Sequence, residues 1–247
     1  MQIIPLSEGV FTIDKTKIFV PFDLSADNLQ QRPAGSLLVD IQPFVVITPR
    51  DILLLDTGLG FLKNGEMQLY AALKKNNIRP EQITRVLLTH LHKDHAGGVS
   101  RRDFLGNFGL SLPNALFYVQ QQELDYAFDT GYPSYMTEEL EALRNNPRVI
   151  LQQGDGDIDG YIRFQVTGAH SPFHQVYWIS AEGETLFFGG DDAPQLQQMK
   201  NKFVAKYDYD GKKCMELRQQ WWQEGKEKNW TFLFYHDVKT TVFRHLP

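Results

Sequence analysis

The sequence predicts an α/β fold, a four-layer αβ/βα sandwich, on three observations. The same run of elements, strand–strand–Asp–helix–strand–His, occurs twice along the chain. Each residue placed to bind a metal sits at the C-terminal end of a predicted strand, and the helical pattern of the first half carries one apolar face. Two such halves bury their apolar surfaces by packing sheet on sheet with helices outside. The 247 residues, 42% of them hydrophobic, suffice for one domain spanning 1–247 with a large core.

The first half opens with Phe44-Val45-Val46-Ile47-Thr48, a Pro49-Arg50 turn, and Ile52-Leu53-Leu54-Leu55-Asp56-Thr57-Gly58, a hairpin ending in an aspartate. Met67, Tyr70, Ala71 and the Leu73-Lys74 pair then predict a helix over Met67–Lys75. Val86-Leu87-Leu88 is the strand that leads to His90. A loop over Arg101–Pro113 follows, then a strand over Asn114–Val119 and a helix over Gln120–Phe128. The second half has Gln175–Ser180, a Glu182-Gly183 turn and Thr185–Asp191 as its hairpin. A helix over about Lys212–Glu224 and an apolar strand ending in His236 complete it.

The segment Thr89-His90-Leu91-His92-Lys93-Asp94-His95-Ala96-Gly97-Gly98 holds three of the seven histidines and a carboxylate within six residues. Imidazole nitrogen and carboxylate oxygen suit zinc and related first-row metals. A solvated turn is the alternative for such a run, and the density of ligand types outweighs it. Ala96-Gly97-Gly98 lets the backbone turn tightly behind the ligands.

The spelling H-x-H-x-D-H resembles the signature of the metallo-β-lactamase superfamily. Val166-Thr167-Gly168-Ala169-His170-Ser171-Pro172-Phe173-His174 is similar to the family's G-H-[ST]-P-G-H turn. Leu186–Asp191 is similar to the strand that carries its bridging carboxylate, and Trp230–Asp237 to its final ligand strand. The resemblance implies a dinuclear site on a fold with internal pseudo-symmetry. One metal would take His90, His92 and His170, and the other Asp94, His95 and His236, with Asp191 between them. Asp94 and Asp191 are also the candidates to carry a proton to the leaving group. Zinc is the expected metal, and iron or manganese also fit nitrogen and oxygen ligands. Such a pair lowers the pKa of water toward neutrality and clamps a carbonyl or phosphoryl oxygen.

Each candidate has a blander reading. His170 would otherwise be a turn residue and His236 a core histidine; Asp192 rivals Asp191. By the internal repeat Asp56 corresponds to Asp191, and it either orients a ligand histidine through the free ring N–H or caps a turn. His174 is expected to support the site or the fold, His245 to be a solvated tail residue, and Cys214 to be a packing residue.

Pro113-Asn114-Ala115, Val119-Gln120 and Glu123-Leu124 resemble the N-acyl homoserine lactone lactonases and their methyl parathion hydrolase relatives. The likeness runs from about Ala34 to His236, and it implies a hydrolase of an ester-like bond, first a lactone, then a phosphotriester or phosphodiester. Two departures stand out. The lactonases often place a tyrosine shortly after the bridging aspartate, where this chain has Asp191-Asp192-Ala193-Pro194. Phe173 replaces the second glycine of the histidine turn, and either shapes the pocket or packs. Gly131–Pro147 and Phe19–Pro33 are unlike the family and are expected to wall the substrate. Phe22, Tyr132, Tyr135, Phe173 and Tyr207 are the aromatic candidates for an acyl pocket, against core packing for any one of them.

Net charge −5 argues against nucleic acid as substrate. No apolar run reaches the roughly 18 residues of a membrane span, and the first residues have no signal-peptide pattern. The lone cysteine fits a reducing cytoplasm. A small-molecule substrate and a monomer or homodimer are expected, with Trp221-Trp222 in the core or at a dimer face. From other classes, a di-iron oxidoreductase and a binding protein of weak turnover remain. The Asp94 spelling favours zinc over the first, and activity panels discriminate the second.

Overall fold

Alternation along the strands sorts the apolar residues onto two faces, as a period of two requires. The computed structural model describes residues 1–245. Its first six-stranded sheet runs in the order Gln2–Pro5, Phe44–Ile47, Ile52–Leu55, Arg85–Leu87, Leu116–Gln120, Val149–Gln152. The second runs Gly156–Ile158, Ile162–Val166, Gln175–Ala181, Glu184–Phe188, Thr231–Leu233, Val242–Arg244. Phe44, Val46, Leu53 and Leu55 face inward and meet Tyr177, Ile179, Leu186 and Phe188 of the opposite sheet. Val45 and Leu54 face outward under Leu69 and Leu73 of the helix Gln68–Lys75. On the far side Val176, Trp178 and Phe187 pack outward against Trp221 of the helix Gly211–Glu227. Helix, sheet, sheet and helix are the four layers expected.

The repeat holds at the level of register. Phe44–Ile47 and Ile52–Leu55 pair antiparallel, and Ile52–Leu55 runs parallel to Arg85–Leu87 with Leu55 opposite Leu87. Gln175–Ala181 and Glu184–Phe188 pair antiparallel, and the latter runs parallel to Thr231–Leu233 with Phe188 opposite Leu233. Parallel neighbours need a crossover, which the two helices supply. His90 follows Leu87 and His236 follows Leu233 by the same interval, so both arrive at one edge of the sandwich.

Several expectations are corrected. Arg101–Pro113 is no simple loop: Ser100–Arg102 and Phe108–Leu110 form a hairpin. The helix expected to end at Glu224 continues to Glu227. Gly225 lets that helix lie close on the sheet, since a Cβ there would come within 2.2 Å of the Phe232 ring. Trp221 is in the core, and Trp222 packs on Phe232 and Phe243. His245 is half-buried against Trp222, with ring centroids 4.4 Å apart, because the strand Val242–Arg244 carries it back over the sheet. A third sheet, Val20–Pro21, Val10–Ile13 and Leu37–Asp40, is formed near the N-terminus. No helix among the described residues is long and apolar enough to cross a membrane.

Candidate metal centre

The strand Arg85–Leu87 feeds His90 and His92 into a turn, and the short helix Lys93–Ala96 carries Asp94 and His95. The glycines behind them serve close approach rather than turning. Gly97 has an ordinary helical φ of −61°, and a Cβ on Gly98 would fall 2.2 Å from the Thr57 carbonyl oxygen. His170 leaves the second sheet after Ile162–Val166, Asp191 sits in the 3-10 turn Gly190–Asp192, and His236 follows Thr231–Leu233. All six side chains other than His92 are buried.

The structure brings all seven candidates together in two groups, His90, His92, His170 and Asp191, and Asp94, His95 and His236. His92 Nδ1 lies 3.0 Å from His90 Nε2 and 3.1 Å from His170 Nε2. His95 Nε2 and His236 Nε2 are 3.3 Å apart. Asp191 stands between the groups. Its Oδ1 is 3.0 Å from His95 Nε2 and 2.9 Å from His236 Nε2, and its Oδ2 is 3.1 Å from His170 Nε2. Asp94 Oδ2 is farther out, 3.5 Å from His236 Nε2 and 3.8 Å from His95 Nε2.

The outer ring nitrogens explain why the inner ones converge. His95 Nδ1 donates to Asp56 Oδ2 at 2.8 Å, His170 Nδ1 to Asp208 Oδ1 at 2.8 Å, and His236 Nδ1 to the Asp40 carbonyl at 2.8 Å. Thr89 Oγ1 donates to Asp56 and accepts from His90 Nδ1. A proton fixed on Nδ1 leaves the Nε2 lone pair facing the centre, the arrangement that orients metal-binding histidines. Asp56 therefore orients a histidine, as one of its two readings held. It also accepts the Thr89 backbone N–H, so it pins the whole turn.

Asp192 points away from the cluster. It accepts the His170 backbone N–H and pairs with His174 Nδ1 at 3.0 Å, while His174 Nε2 accepts the Asp191 N–H. His174 thus props the turn that carries Asp191. Cys214 Sγ donates to Asp192 Oδ1 from the helix, and burial pushes its thiol far up.

The electrostatics match a cation. Burial, followed by the crowding of other imidazoles, holds His90 and His92 well below the ordinary imidazole range, so both are neutral. Burial is the largest influence on His95, His170 and His236 and disfavours their charge, but Asp191 acting with other carboxylates (Asp94 and Asp56 at His95, Asp208 and Asp192 at His170, Asp94 at His236) outweighs it and raises all three. Those imidazoles in turn hold Asp191 well below the usual carboxylate range despite its burial. Neutral imidazole nitrogens facing one another at 3.0 Å, beside a buried carboxylate, form a donor set that a shared divalent cation satisfies. The residues present fit such metals.

Residues 39–210 match the profile of the Metallo-beta-lactamase superfamily. The chain belongs to that superfamily. It is a metallo-hydrolase of the superfamily by this match, with lactonase-like homologues. An N-acyl homoserine lactonase of Bacillus cereus is 22% identical over 251 residues, 91% of this chain and 94% of the relative. A probable metal-dependent hydrolase from Staphylococcus aureus superposes with a TM-score of 0.79 at 23% identity, over 98% of this chain and 91% of that one. AidC, a dizinc quorum-quenching lactonase solved with the product N-hexanoyl-L-homoserine, gives 0.72 at 19%, over 97% and 88%.

Above the superfamily's metal edge lies an open cavity of about 930 Å³, within the range of small-molecule sites. His92, Asp94, His170, Asp191 and His236 form its floor. Both segments expected to wall it contribute, Phe19 and Arg32 from the first and Ser134 from the second. Of the aromatic candidates Tyr207 lines it. Tyr135 is instead buried against the His92 ring and donates to Glu123, Phe173 packs on Tyr126, and Tyr132 is exposed. Phe22 is not among the lining residues.

Sequence reading found no tyrosine within reach of Asp191. The loop after the helix Leu196–Lys200 brings Tyr207 within 6.2 Å of the His170 ring, centroid to centroid, from well downstream. The same loop supplies Asp208 to His170, a partner that sequence reading also missed. The only local signal was the alternation Tyr207-Asp208-Tyr209-Asp210, polar and aromatic without an apolar period.

Proposed function

We propose that the protein is a dinuclear metal-dependent hydrolase of ester-like bonds, with a lactone as the first substrate class and zinc as the metal. The observation that carries this reading is the Asp191 carboxylate, whose two oxygens face different histidine groups at 2.9–3.1 Å. His90, His92 and His170 would hold one cation, Asp94, His95 and His236 the other, with Asp191 shared. Divalent cations held there would supply a nucleophile from water near neutral pH and would polarise a carbonyl oxygen. The relatedness to lactonases supports the choice of a lactone.

The chain's own residues do the rest. The cavity walls hold the substrate over the floor. Tyr207, pushed up to about 12 by burial, keeps its phenol proton at neutral pH and is positioned to donate to a substrate oxygen. Asp94 lines the cavity and is less closely engaged by the histidines than Asp191. It is therefore the better placed of the two carboxylates to pass a proton to the departing alkoxide.

Elemental analysis of protein purified without added metal, with lactone and phosphodiester hydrolysis assayed alongside, tests the reading. The expected result is about two metal ions per chain and lactone cleavage. Two metals with phosphodiester cleavage alone moves the substrate class. No metal after reconstitution overturns the proposal and leaves a binding protein.

A further inference from the structure

Five basic side chains, Lys15, Lys17, Arg32, Lys93 and Lys206, line the cavity above the metal centre of a chain whose net charge is −5. Lys17, Arg32 and Lys93 are half-buried there. Among the described residues none of the five has a carboxylate oxygen within 4.0 Å. The acidic groups that share the cavity are committed elsewhere. Asp94 and Asp191 belong to the metal centre, and Asp14 accepts the backbone N–H and hydroxyl of Thr16 within its own turn.

Hydrogen bonds fix the backbone that carries Lys17 and Lys93. Lys17 occupies the left-handed region at φ 59°, uncommon for a residue with a side chain, and its N–H closes the turn on the Asp14 carbonyl. Lys93 sits inside the metal-binding turn, its N–H donating to the Ser134 carbonyl at 2.9 Å. Its ammonium lies 5.9 Å from the centre of the Phe19 ring and 5.7 Å from that of Tyr132. Lys17 and Lys93 share one cavity wall, and an anion between like charges relieves their repulsion. Apolar groups complete the walls, among them Ile13, Leu38 and Phe203.

We propose that the substrate is anionic: an ester or lactone with an apolar body and a carboxylate or phosphate group remote from the scissile bond, held by Lys17 and Lys93 with Arg32 beside them. This rests on the hydrolase reading above and narrows it, because a neutral acyl lactone leaves these cations without an anionic partner. Lys17 and Lys93 are specificity-determining residues in this scheme.

A matched pair of probes tests it on the metal-loaded protein. N-hexanoyl-homoserine lactone and N-adipoyl-homoserine lactone have side chains of equal length, the second ending in a carboxylate, and an analogue ending in a phosphate monoester distinguishes the two anions. The expected result is a kcat/KM at least about tenfold higher for one or both anionic probes, the fold-change of one hydrogen bond to a charged group. That ratio should fall toward one in Lys17→Gln and in Lys93→Gln, with metal content measured in each. It should hold in Lys212→Gln, on the outer helix, and the KM of the anionic probe should rise with salt. Equal kcat/KM for charged and neutral probes overturns the proposal. If no probe is hydrolysed, calorimetry with the ring-opened hexanoyl and adipoyl products decides. Tighter adipoyl binding that Lys17→Gln abolishes upholds the anion site while the lactonase reading falls, and equal binding overturns the anion site itself.

Discussion

The first half of the sandwich delivers His90, His92, Asp94 and His95 from one turn, whereas the second delivers His170, Asp191 and His236 from three separate strand ends. The supports differ in the same way. Asp56 alone reaches the Thr89 N–H, the Thr89 hydroxyl and the His95 ring. For the second half's ligands that work is divided: Asp192 and His174 hold the backbones of His170 and Asp191, Asp208 holds the His170 ring, and the carbonyl of Asp40, from the N-terminal sheet, holds His236. Two copies of one topology thus build a compact, centrally braced half-site and a dispersed one braced by loops. A contiguous turn can be aligned by two buried carboxylates, Asp56 and Glu123, the latter accepting the Leu91 N–H at 3.0 Å, but ligands on separate strand ends each need their own partner.

The comparison breaks most severely at the shared residue. Asp191→Asn should lower hydrolysis by roughly 10³-fold or more, because the loss of metal polarisation removes several kcal/mol of transition-state stabilisation. His92→Ala and Asp94→Asn should likewise abolish turnover, each with loss of bound metal by elemental analysis. Near-normal turnover in Asp94→Asn would sink the two-metal proposal.

Next in size, Asp56→Asn should weaken metal affinity or activity by about 10- to 100-fold, the usual cost of losing a group that orients a metal-binding histidine. Asparagine tolerates the φ of 54° at this position, so the fold should survive. Asp208→Asn, which loses one bond to one ring, should fall at the lower end of that range. Competition with a chelating dye reads both. An Asp208 effect as large as that of Asp56 would erase the distinction between a central brace and a dispersed one.

The smallest effect concerns the loop that carries Asp56. Glu8 accepts the Leu59 N–H at 2.7 Å, and burial foremost raises its pKa from 4.5 to about 7. The folded protein then binds this proton more tightly than the unfolded chain. The stability it favours is fully present below 4.5 and declines as pH rises toward about 7. Glu8→Gln should flatten that decline in denaturant titrations at about pH 5 and about pH 8. An unchanged slope would show that Glu8 is ionised in the fold throughout that range.

Much of the fold was legible because it is written in local periods. The hairpins, the crossover helices and the strands that end in His90 and His236 follow from alternation and helical spacing, and the repeat of one order predicted the facing sheets. The run from His90 to His95 was legible for a related reason, since its residues are near in sequence and need no tertiary information to be near in space. The hairpin hidden in Arg101–Pro113 was missed because Gly106 and Gly109 interrupt any apolar alternation.

By itself the sequence determined the two-fold order of elements, the kinds of metal-binding side chain and the strand ends that carry them, because periodicity and residue chemistry are local properties. The resemblance favoured Asp191 over Asp192, and the tertiary structure turns Asp191 into the cluster and Asp192 onto His174. Only the tertiary structure decided that Tyr207 and Asp208 come back to the centre, that Tyr135 and Phe173 pack away from the cavity, and that Lys17 and Lys93 share it. Adjacent side chains on a turn point in different directions, and residues from distant loops meet only when two sheets are stacked.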